Sequence, residues 1–400
     1  ELLATVAGDM GVAADQLELK DGKVVKSPEM DRRIGTYKKY HEGFGEILVQ
    51  MNVEDTRFGV AEYVLNKHGL DTIELKWGQG AKCIGGEIQV DSLEYARFLK
   101  DRGYVVDPDP YDPVVEAAFK EGGIRSFARH SRLGATELGS AEQVREQFLK
   151  AVAHLRQIGH KRITLKTGSY GMEALALALR CATDAKLDLL TIDGAGGGTG
   201  MSPWNMMEHW GVPSLPLHAR AYEYAKLLAE RGLAVPDLAL AGGLAREDHV
   251  FKALALGAPF VKMVCMGRAP MVPAFVGSNI EGVLRPENRG AVHGHWDELP
   301  GTVSCYGEKP EQIFTAWETV TQKVGAAEMK QIPFGAVAMY AYADKLACGL
   351  QQFMAGARRA RLSEIRREDL MSANRETARE TGIPYLTDSE NDKALAILKA

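Results

Sequence analysis

The sequence predicts an α/β fold, specifically a (β/α)8 barrel followed by a helical extension. Short apolar runs alternate with amphipathic stretches over much of the chain, and this alternation favours parallel strands covered by helices. Three of the apolar runs are followed directly by glycine-rich turns, as expected where barrel strands end at a ligand site. After about residue 305 the pattern becomes helical only, which predicts an extension without strands.

The strand predictions rest on short apolar runs bounded by polar residues or glycine. A barrel needs eight strands, whereas six are recognised, so we expect the first two to lie upstream of Glu1 or within the weakly patterned residues 1–45. The predicted strands are 47–50, 72–76, 163–166, 189–192, 238–240 and 260–264. The amphipathic stretches that predict covering helices are 141–157, 172–182, 218–231 and 246–256.

The patterns divide the chain into three predicted segments: an N-terminal segment (1–40), the barrel (41–305) and the helical extension (306–400). In the first segment, Asp21-Gly22 separates two short strand-like runs, which is typical of a hairpin with a type I′ turn. The helices predicted in the extension are at about 310–329, 335–358, 362–380 and 390–399.

Composition and charge argue against several classes of protein. A formal net charge of −5 argues against general nucleic-acid binding, which requires a basic face. The chain contains no run of about 18 apolar residues, so no membrane span is predicted. The five cysteines are dispersed without a CxxC pair, so we expect reduced thiols, no metal centre and a cytoplasmic protein.

The glycine-rich turns predict a phosphate-binding floor. They are the segment 193–203 (DGAGGGTGMSP), Gly242-Gly243 and Gly267-Arg268. Glycine lacks a Cβ and tolerates positive φ, so the backbone N–H groups of such turns can approach an anion closely. Because the loops after the last two strands of a barrel are its usual phosphate site, we expect a cofactor that carries a phosphate. Arg268 is predicted either to contact that phosphate or to pair with a neighbouring helix.

Two lysines end strand patterns that are otherwise largely apolar. Lys76 ends the run 72–76, and Lys166 ends the run 163–166. Burial of an ammonium group is costly unless it is paired, so we expect these lysines to reach a ligand, the alternative being that they extend to solvent. Flavin mononucleotide (FMN) requires a cation near N1 and O2, where the reduced ring carries negative charge, and either lysine is a candidate.

Several of these motifs, in the same order, resemble the FMN-binding domain of glutamate synthase. The most specific are the lysine- and glycine-rich segment at the end of the second predicted strand and the glycine loop after the fourth. The resemblance extends over about residues 45–275. The matching segments are 54–59 (EDTRFG), 74–82 (ELKWGQGAK), 85–86 (GG), 193–203, 241–244 (AGGL) and 254–258 (LALGA).

The resemblance implies a (β/α)8 barrel that holds FMN and transfers hydride between the reduced flavin and an imino or amino acid, such as 2-iminoglutarate or glutamate. The nitrogen would come from ammonia or an amine. It also implies that Lys76 and Lys82 lie at the flavin and the substrate carboxylates, where a compact ammonium charge stabilises a developing anion. The residues implied to line the flavin are Gln50, Gly197, Gly198 and Thr199.

One departure from the family pattern bears on the substrate. After Lys82 the chain reads CIGG, one residue shorter than the family, and Glu87 follows directly. A carboxylate facing the pocket would repel a dicarboxylic acid by about 1–4 kcal/mol and attract an amine, which makes Glu87 a catalytic candidate beside Lys82. The alternative is an exposed Glu87 in a surface ion pair. Residues 104–139 are interpreted as a long irregular loop, in which His130 is a third catalytic candidate.

The region after the last predicted strand also departs from the family. Glutamate synthases carry three cysteines for a 3Fe–4S cluster there, whereas this chain has only Cys265, which we interpret as a small packed residue. A glutamine-hydrolysing domain is also missing from the sequence. We therefore expect a small-molecule amino or oxo acid as substrate, a separate electron donor or amidotransferase subunit as partner, and an oligomer.

Three functions stay open at this point. The first is an FMN-dependent oxidoreductase of the glutamate synthase type, in amino-acid metabolism. The second is another FMN barrel enzyme, such as a 2-hydroxy-acid oxidase or an isomerase. The third is a non-catalytic flavin-binding subunit that supports a complex through the helical extension. The role of Asp193 is likewise open between holding the glycine loop and taking part in catalysis.

Overall fold

The computed structural model describes residues 16–51, 55–56, 58–77, 87–101, 105–130, 140–168, 171–197, 209, 211–292 and 299–400. The strands are β1 (Glu18–Lys20), β2 (Lys23–Lys26), β3 (Val49–Met51), β4 (Thr72–Lys76), β5 (Glu87–Val90), β6 (Val105–Asp107), β7 (Phe127–His130), β8 (Arg162–Thr167), β9 (Leu189–Asp193), β10 (Asp237–Ala241) and β11 (Val261–Val264). The helices are α1 (Pro28–Tyr40), α2 (Val60–His68), α3 (Leu93–Asp101), α4 (Pro113–Lys120), α5 (Ala141–Ile158), α6 (Met172–Asp184), α7 (Ser214–Glu230), α8 (Glu247–Gly257), α9 (Met271–Leu284), α10 (Leu299–Ser304), α11 (Pro310–Ile313), α12 (Trp317–Val324), α13 (Ala326–Met329), α14 (Phe334–Gly356), α15 (Arg375–Thr381) and α16 (Asn391–Lys399).

A six-stranded sheet in the order β11-β10-β9-β8-β4-β3 is the centre of the fold. The pairs β3–β4, β4–β8, β8–β9 and β9–β10 are parallel. Strands follow one another around the sheet in chain order, as in a (β/α)8 barrel, whereas a doubly wound sheet reverses its order partway. The predicted α/β barrel class and all six predicted strands are confirmed. The expectation of two further strands, upstream of Glu1 or within residues 1–45, stays a prediction.

Alternation along the strands gives the sheet two different faces, because successive side chains point to opposite sides. One face carries apolar residues that are almost completely buried, and buried leucines of the intervening helices, such as Leu175 and Leu179 of α6, add to the core. These apolar strand residues are Ile73, Leu75, Ile163, Leu165, Leu190, Ile192, Leu238 and Leu240. The hydrophobic effect therefore stabilises this face, and the opposite face is where polar groups collect.

A small antiparallel sheet, with order β5-β7-β6, lies in the chain between β4 and β8. Its core consists of Val90, Val106 and Phe127 packed with Ala96 and Leu99 of α3. The interpretation of residues 104–139 as an irregular loop is therefore wrong for the described part. The error arose because Asp and Pro dominate the sequence there, while the apolar partners of the strands come from α3.

The predicted N-terminal hairpin is confirmed. β1 and β2 pair antiparallel, and both turn residues have positive φ, 52° at Asp21 and 75° at Gly22, as a type I′ turn requires. Helix α1 is then attached to α2 through Asp31, whose carboxylate accepts hydrogen bonds from Tyr63 and Lys67, each at 2.7 Å. Partial burial opposes ionisation of Asp31, but bonds from Lys67, Tyr63 and His68 outweigh it and lower the pKa of the carboxyl.

In the C-terminal region, the predicted helices at 335–358 and 390–399 are confirmed as α14 and α16. The predicted helix at 310–329 is wrong in its continuity: it consists of α11, α12 and α13, and Gly325 (φ 88°) separates the last two.

The predicted helix at 362–380 is also wrong, since only α15 and two short 3-10 turns form there. Asp369 accepts bonds from the Arg359 guanidinium (2.6 Å) and the Arg366 backbone N–H (3.0 Å), and Asn374 caps α15. Such side-chain bonds compete with a continuous helix.

The chain forms two compact units that alternate along the sequence. One consists of Glu1–Gly242, Phe260–Met263 and Asn374–Gly382, and the other of Gly243–Pro259, Val264–Ala373 and Ile383–Ala400. The second unit thus contains α8, α9 and most of the helical region. The division into 1–40, 41–305 and 306–400 stays a prediction.

Helices α9 and α14 of the second unit cross at backbone contact distance. A Cβ at Gly335 would lie 2.7 Å from the Ala274 carbonyl oxygen, and one at Gly277 would lie 2.6 Å from the Phe334 carbonyl oxygen. Real Cβ atoms do not approach a backbone oxygen so closely, so glycine is required at both positions. The crossing also buries Phe334, which is 1% exposed.

Gly335→Ala should lower the free energy of unfolding by about 1–3 kcal/mol, because the new methyl group would overlap the Ala274 carbonyl and force the helices apart. Gly356→Ala in the same helix is the matched control, since nothing lies within 4 Å of its Cβ position and alanine favours the helix. Urea unfolding midpoints of the two variants measure the difference. Equal midpoints would contradict the close crossing.

Candidate functional site

The face of the parallel sheet opposite the apolar one carries polar side chains towards the carboxyl ends of the strands. The register puts Gln50, Glu74 and Thr164 side by side on β3, β4 and β8. One step further along, Lys76 of β4 lies opposite Lys166 of β8. Residues two apart on a strand share a face, so both rows belong to the same surface.

Glu74 is a buried carboxylate in the first row, 8% exposed. It accepts a hydrogen bond from the Gln50 amide nitrogen at 2.5 Å and weaker ones from the Thr164 and Thr191 hydroxyls at 3.4 and 3.5 Å. Burial of a carboxylate is costly, and these bonds offset part of the cost. Because the Gln50 nitrogen is committed to Glu74, its amide oxygen is the atom that remains to accept from a ligand.

Lys166 and Asp193 form an ion pair at the ends of β8 and β9, with 3.3 Å between Nζ and Oδ2. This separation is longer than the 2.7–2.9 Å typical of a charge-assisted hydrogen bond. An ammonium group has three donors, so Lys166 retains capacity for an anionic ligand. The other Asp193 oxygen lies against the glycine loop, where a Cβ at Gly197 would be only 2.0 Å from Oδ1. Asp193 therefore contacts both Lys166 and the glycine loop, and its role in catalysis stays a prediction.

The turns after β9 and β10 pack directly on each other. The Gly194 N–H donates to the Ala241 carbonyl at 2.9 Å, and the Ser214 hydroxyl donates to the Gly242 carbonyl at 2.7 Å. A Cβ at Gly194 would lie 2.2 Å from Ser214 Oγ, and one at Gly242 would lie 2.7 Å from the Gly194 nitrogen. Packing alone therefore requires glycine at both positions. The phosphate role of Gly242 stays a prediction.

His218 of α7 is buried beneath these turns and donates from Nε2 to the Ala241 carbonyl at 3.1 Å. Burial lowers the pKa of the imidazole from 6.5 to about 4, although the backbone carbonyls of Ile192 and Ala241 favour the protonated form. The ring is therefore neutral at physiological pH. It attaches the covering helix to the ends of β9 and β10.

In the second unit, the predicted phosphate turns contain Gly243 and Gly267-Arg268. Gly243 has φ 74°, a conformation that favours glycine. Gly267 is different, because its φ lies outside the left-handed region and nothing lies within 4 Å of its Cβ position. The fold therefore does not require glycine there, and the space is open to a ligand. The exposed Arg268 lies in the turn before α9, and its carbonyl accepts from the N–H of Met271, the first residue of that helix, at 2.9 Å.

The predicted catalytic residues Glu87 and His130 are backbone neighbours. They lie directly opposite each other in the antiparallel pair of β5 and β7. The third candidate, Lys82, lies outside the described residues, as do the predicted flavin residues Gly198 and Thr199. The catalytic roles of all three candidates stay predictions.

Sequence reasoning did not assign a role to Glu74 or His218. A signal existed for Glu74, because a carboxylate two residues before Lys76 in an apolar strand lies on the same face as that lysine. His218 lies in an amphipathic helix with nothing in the local pattern to mark it. Its role depends on contacts with carbonyls at the ends of two strands distant in sequence.

Parallel strands in barrel order define an α/β barrel-type protein. Lysines and carboxylates near the carboxyl ends of the strands, with glycine turns after them, make these ends the candidate ligand site. Residues 141–276 match the family model described as the conserved region in glutamate synthase. This part of the chain is therefore similar to the conserved region of glutamate synthase, in agreement with the resemblance of its motifs. Among the described residues, no helix combines the length and apolar character needed to cross a membrane.

The chain is similar to several archaeal-type glutamate synthases [NADPH]. The protein from Methanocaldococcus jannaschii is 29% identical over 55% of this chain and 37% of its own length. The protein from Dehalococcoides mccartyi is 26% identical over 53% of this chain and 37% of its own length. The protein from Thermotoga maritima is 25% identical over 57% of this chain and 39% of its own length. The chain thus spans less than half the length of these relatives.

Two solved structures illustrate the structural comparisons. FabK from Thermotoga maritima is 11% identical over 89% of this chain and 90% of that chain, with a TM-score of 0.36. A mutant of an active chimera of (S)-mandelate dehydrogenase is 16% identical over 70% of this chain and 62% of that chain, with a TM-score of 0.29. Scores this low do not establish a shared fold, so the fold assignment rests on the strand order.

The free energy of unfolding should fall as the pH drops from about 6.5 to 4. His218 has a pKa of about 4 when folded and 6.5 when unfolded, so the unfolded state binds more protons in this window. The 2.5-unit difference corresponds to a loss of about 3 kcal/mol from this group. Urea unfolding at a series of pH values measures it.

His218→Gln keeps an N–H donor for Ala241 but removes the titrating group, so its unfolding free energy should change less with pH than that of the wild type. His154→Gln, at an exposed helix position, is the control and should keep the wild-type dependence. A His218→Gln profile parallel to the wild type would show that His218 is not buried in the neutral form.

Proposed function

We propose that this protein is an FMN-dependent oxidoreductase of the glutamate synthase type. It transfers hydride between the reduced flavin and an imino or amino acid, such as 2-iminoglutarate or glutamate, with nitrogen from ammonia or an amine. The observation that carries the proposal is the Lys166–Asp193 pair beside Lys76 at the strand ends. The glutamate synthase-like match over residues 141–276 supports the reaction type.

The residues of the site fit the chemistry of FMN. Lys166 is a partly buried cation with donor capacity, as the reduced ring requires. The Gln50 amide oxygen is directed away from Glu74 and suits an N–H donor such as N3 of the ring. Within the second unit, described by itself, the open space at Gly267 suits an anionic group such as a phosphate, because a backbone N–H there is not shielded by a side chain.

When bound, FMN would supply the hydride acceptor or donor. The protein's part is to bind and orient. Lys166 and Lys76 provide positive charge where negative charge develops, and a fixed charge in a partly buried site costs little reorganisation during the reaction. Asp193 holds Lys166 in place and limits repulsion between the two neighbouring ammonium groups.

The substrate proposal depends on the pair of residues opposite each other in β5 and β7. Glu87 would attract the amino or imino nitrogen, and His130 would exchange a proton with it, as general acid–base residues do. Lys82 would bind a substrate carboxylate. Electrons or nitrogen would come from a separate donor or amidotransferase subunit.

The test is to identify the cofactor and then reduce it. Denaturation of the purified protein should release FMN, identified by mass. Anaerobic addition of glutamate or an N-alkyl glutamate should bleach the bound flavin, because both carry an amino nitrogen for Glu87. 2-Hydroxyglutarate is the matched control, since it keeps both carboxylates and lacks the nitrogen.

Reduction by 2-hydroxyglutarate instead would favour a hydroxy-acid oxidase. No reduction by any of these acids would favour the non-catalytic subunit. Protein that neither contains nor takes up FMN would reject the proposal altogether.

Lys166→Met should slow anaerobic flavin reduction about 10²–10³-fold, because it removes a preorganised charge near the reacting ring. The expected defect lies in the rate constant of reduction, measured by stopped-flow absorbance. Lys161→Met, at the opposite end of β8, is the control and should react at the wild-type rate, since Lys161 is exposed and pairs with Asp71. Equal rates for both variants would remove Lys166 from the site.

A further inference from the structure

Three residues of α14 lie seven positions apart: Gly335, Tyr342 and Gly349. Seven residues are close to two helical turns, so the three share one face of the helix. This face belongs to the helical region that is predicted from the sequence as a C-terminal extension. Its contacts with α8, α9 and the turns before them lie within the second compact unit.

The two glycines bring α14 against the helices that follow the predicted phosphate turns. Gly335 contacts α9, which follows the turn containing Gly267. Gly349 contacts α8, which follows the turn containing Gly243, and a Cβ at this position would lie 2.4 Å from Cγ of Glu247. A larger residue at Gly335 would overlap the α9 backbone, and one at Gly349 would displace the Glu247 side chain.

Tyr342 lies midway between these glycines and reaches both turns. Its hydroxyl donates to the Ala245 carbonyl at 2.7 Å and lies 3.5 Å from the Met266 sulfur. Ala245 is two residues after Gly243, and Met266 directly precedes Gly267. One side chain of the helical region therefore contacts residues next to two of the three turns that are predicted to bind phosphate.

The turn at Ala245 is held from two sides. Its N–H donates to Nδ1 of His249 at 3.1 Å, while its carbonyl accepts from Tyr342. Burial and the charge of Glu247 raise the pKa of Tyr342 above its ordinary value, so its hydroxyl remains a protonated donor. Loss of that donor would leave the partly buried carbonyl without this bond and loosen the turn.

We propose that Tyr342 is a positioning residue that holds the turns 243–245 and 265–268 in the arrangement in which their backbone N–H groups bind the phosphate of FMN. This inference rests on the proposed function and concerns only the two turns of the second unit. Tyr342 acts through its contacts with the two turns.

The test compares FMN with riboflavin, which has the same ring and no phosphate. The full chain, freed of flavin, is titrated with each compound, and binding is followed by quenching of flavin fluorescence. Tyr342→Phe should weaken FMN binding about tenfold, which corresponds to one lost hydrogen bond, and leave riboflavin binding unchanged. A general loss of structure would weaken both compounds, so the ratio of the two affinities isolates the effect on the phosphate.

Tyr340→Phe is the matched control, since it makes the same change in the same helix and Tyr340 bonds Lys323. It should bind both flavins as the wild type does. Gly267→Ala is a second test variant, because its methyl group meets nothing within 4 Å in the protein yet occupies the space assigned to the phosphate. It should keep the wild-type unfolding midpoint and weaken FMN binding alone.

Several outcomes would overturn the inference. Tyr342→Phe could bind FMN as tightly as the wild type, or lose FMN and riboflavin equally. Wild-type protein that binds riboflavin as tightly as FMN would show that the turns hold no phosphate, while the proposed oxidoreductase function would stand. Wild-type protein that binds neither flavin would overturn the proposed function and this inference with it.

Discussion

The Asp193 carboxylate is the contact on which the strand-end site depends. One oxygen faces the Lys166 ammonium at 3.3 Å, and the other lies against Gly197. A single side chain therefore joins a cation at the end of β8 to the backbone of the loop after β9. Because Asp193 is only 4% exposed, water screens neither contact well. Changes at Lys166 and at Gly197 act on the same group, so their effects should not be additive.

The polar face of the sheet is costly to keep. Barrel interiors are commonly filled with branched apolar side chains, and buried ion pairs seldom stabilise a protein more than such residues do. Here Glu74, Thr164 and Lys166 occupy that face, while Ile163 and Leu165 on the opposite face of the same strand are fully buried. The apolar face stabilises the sheet, which leaves the other free to carry charge. Departures of this kind are expected where a protein binds a ligand.

Local patterns predicted those elements whose formation depends on neighbouring residues. Asp21-Gly22 specifies its turn by its own backbone preferences, and the parallel strands are apolar runs with clear boundaries. The predictions of secondary structure failed where the conformation of a segment depends on residues that are distant in sequence. β7 forms because Phe127 packs with Leu99 of α3, and the helix expected at 362–380 is interrupted by bonds between Asp369 and Arg359. A sequence pattern contains no information on such partners.

The same limit applies to the site. Lys166 could be predicted because it ends its strand, whereas the bond from Gln50 to Glu74 requires the register of two strands. Glycine shows the limit most clearly. At Gly242 a Cβ would overlap the neighbouring turn, so packing accounts for the residue, but at Gly267 a Cβ would meet nothing. Both look the same in the sequence. The sequence alone does not separate a glycine that packing requires from one beside open space, and only the second kind, as at Gly267, leaves room for a ligand.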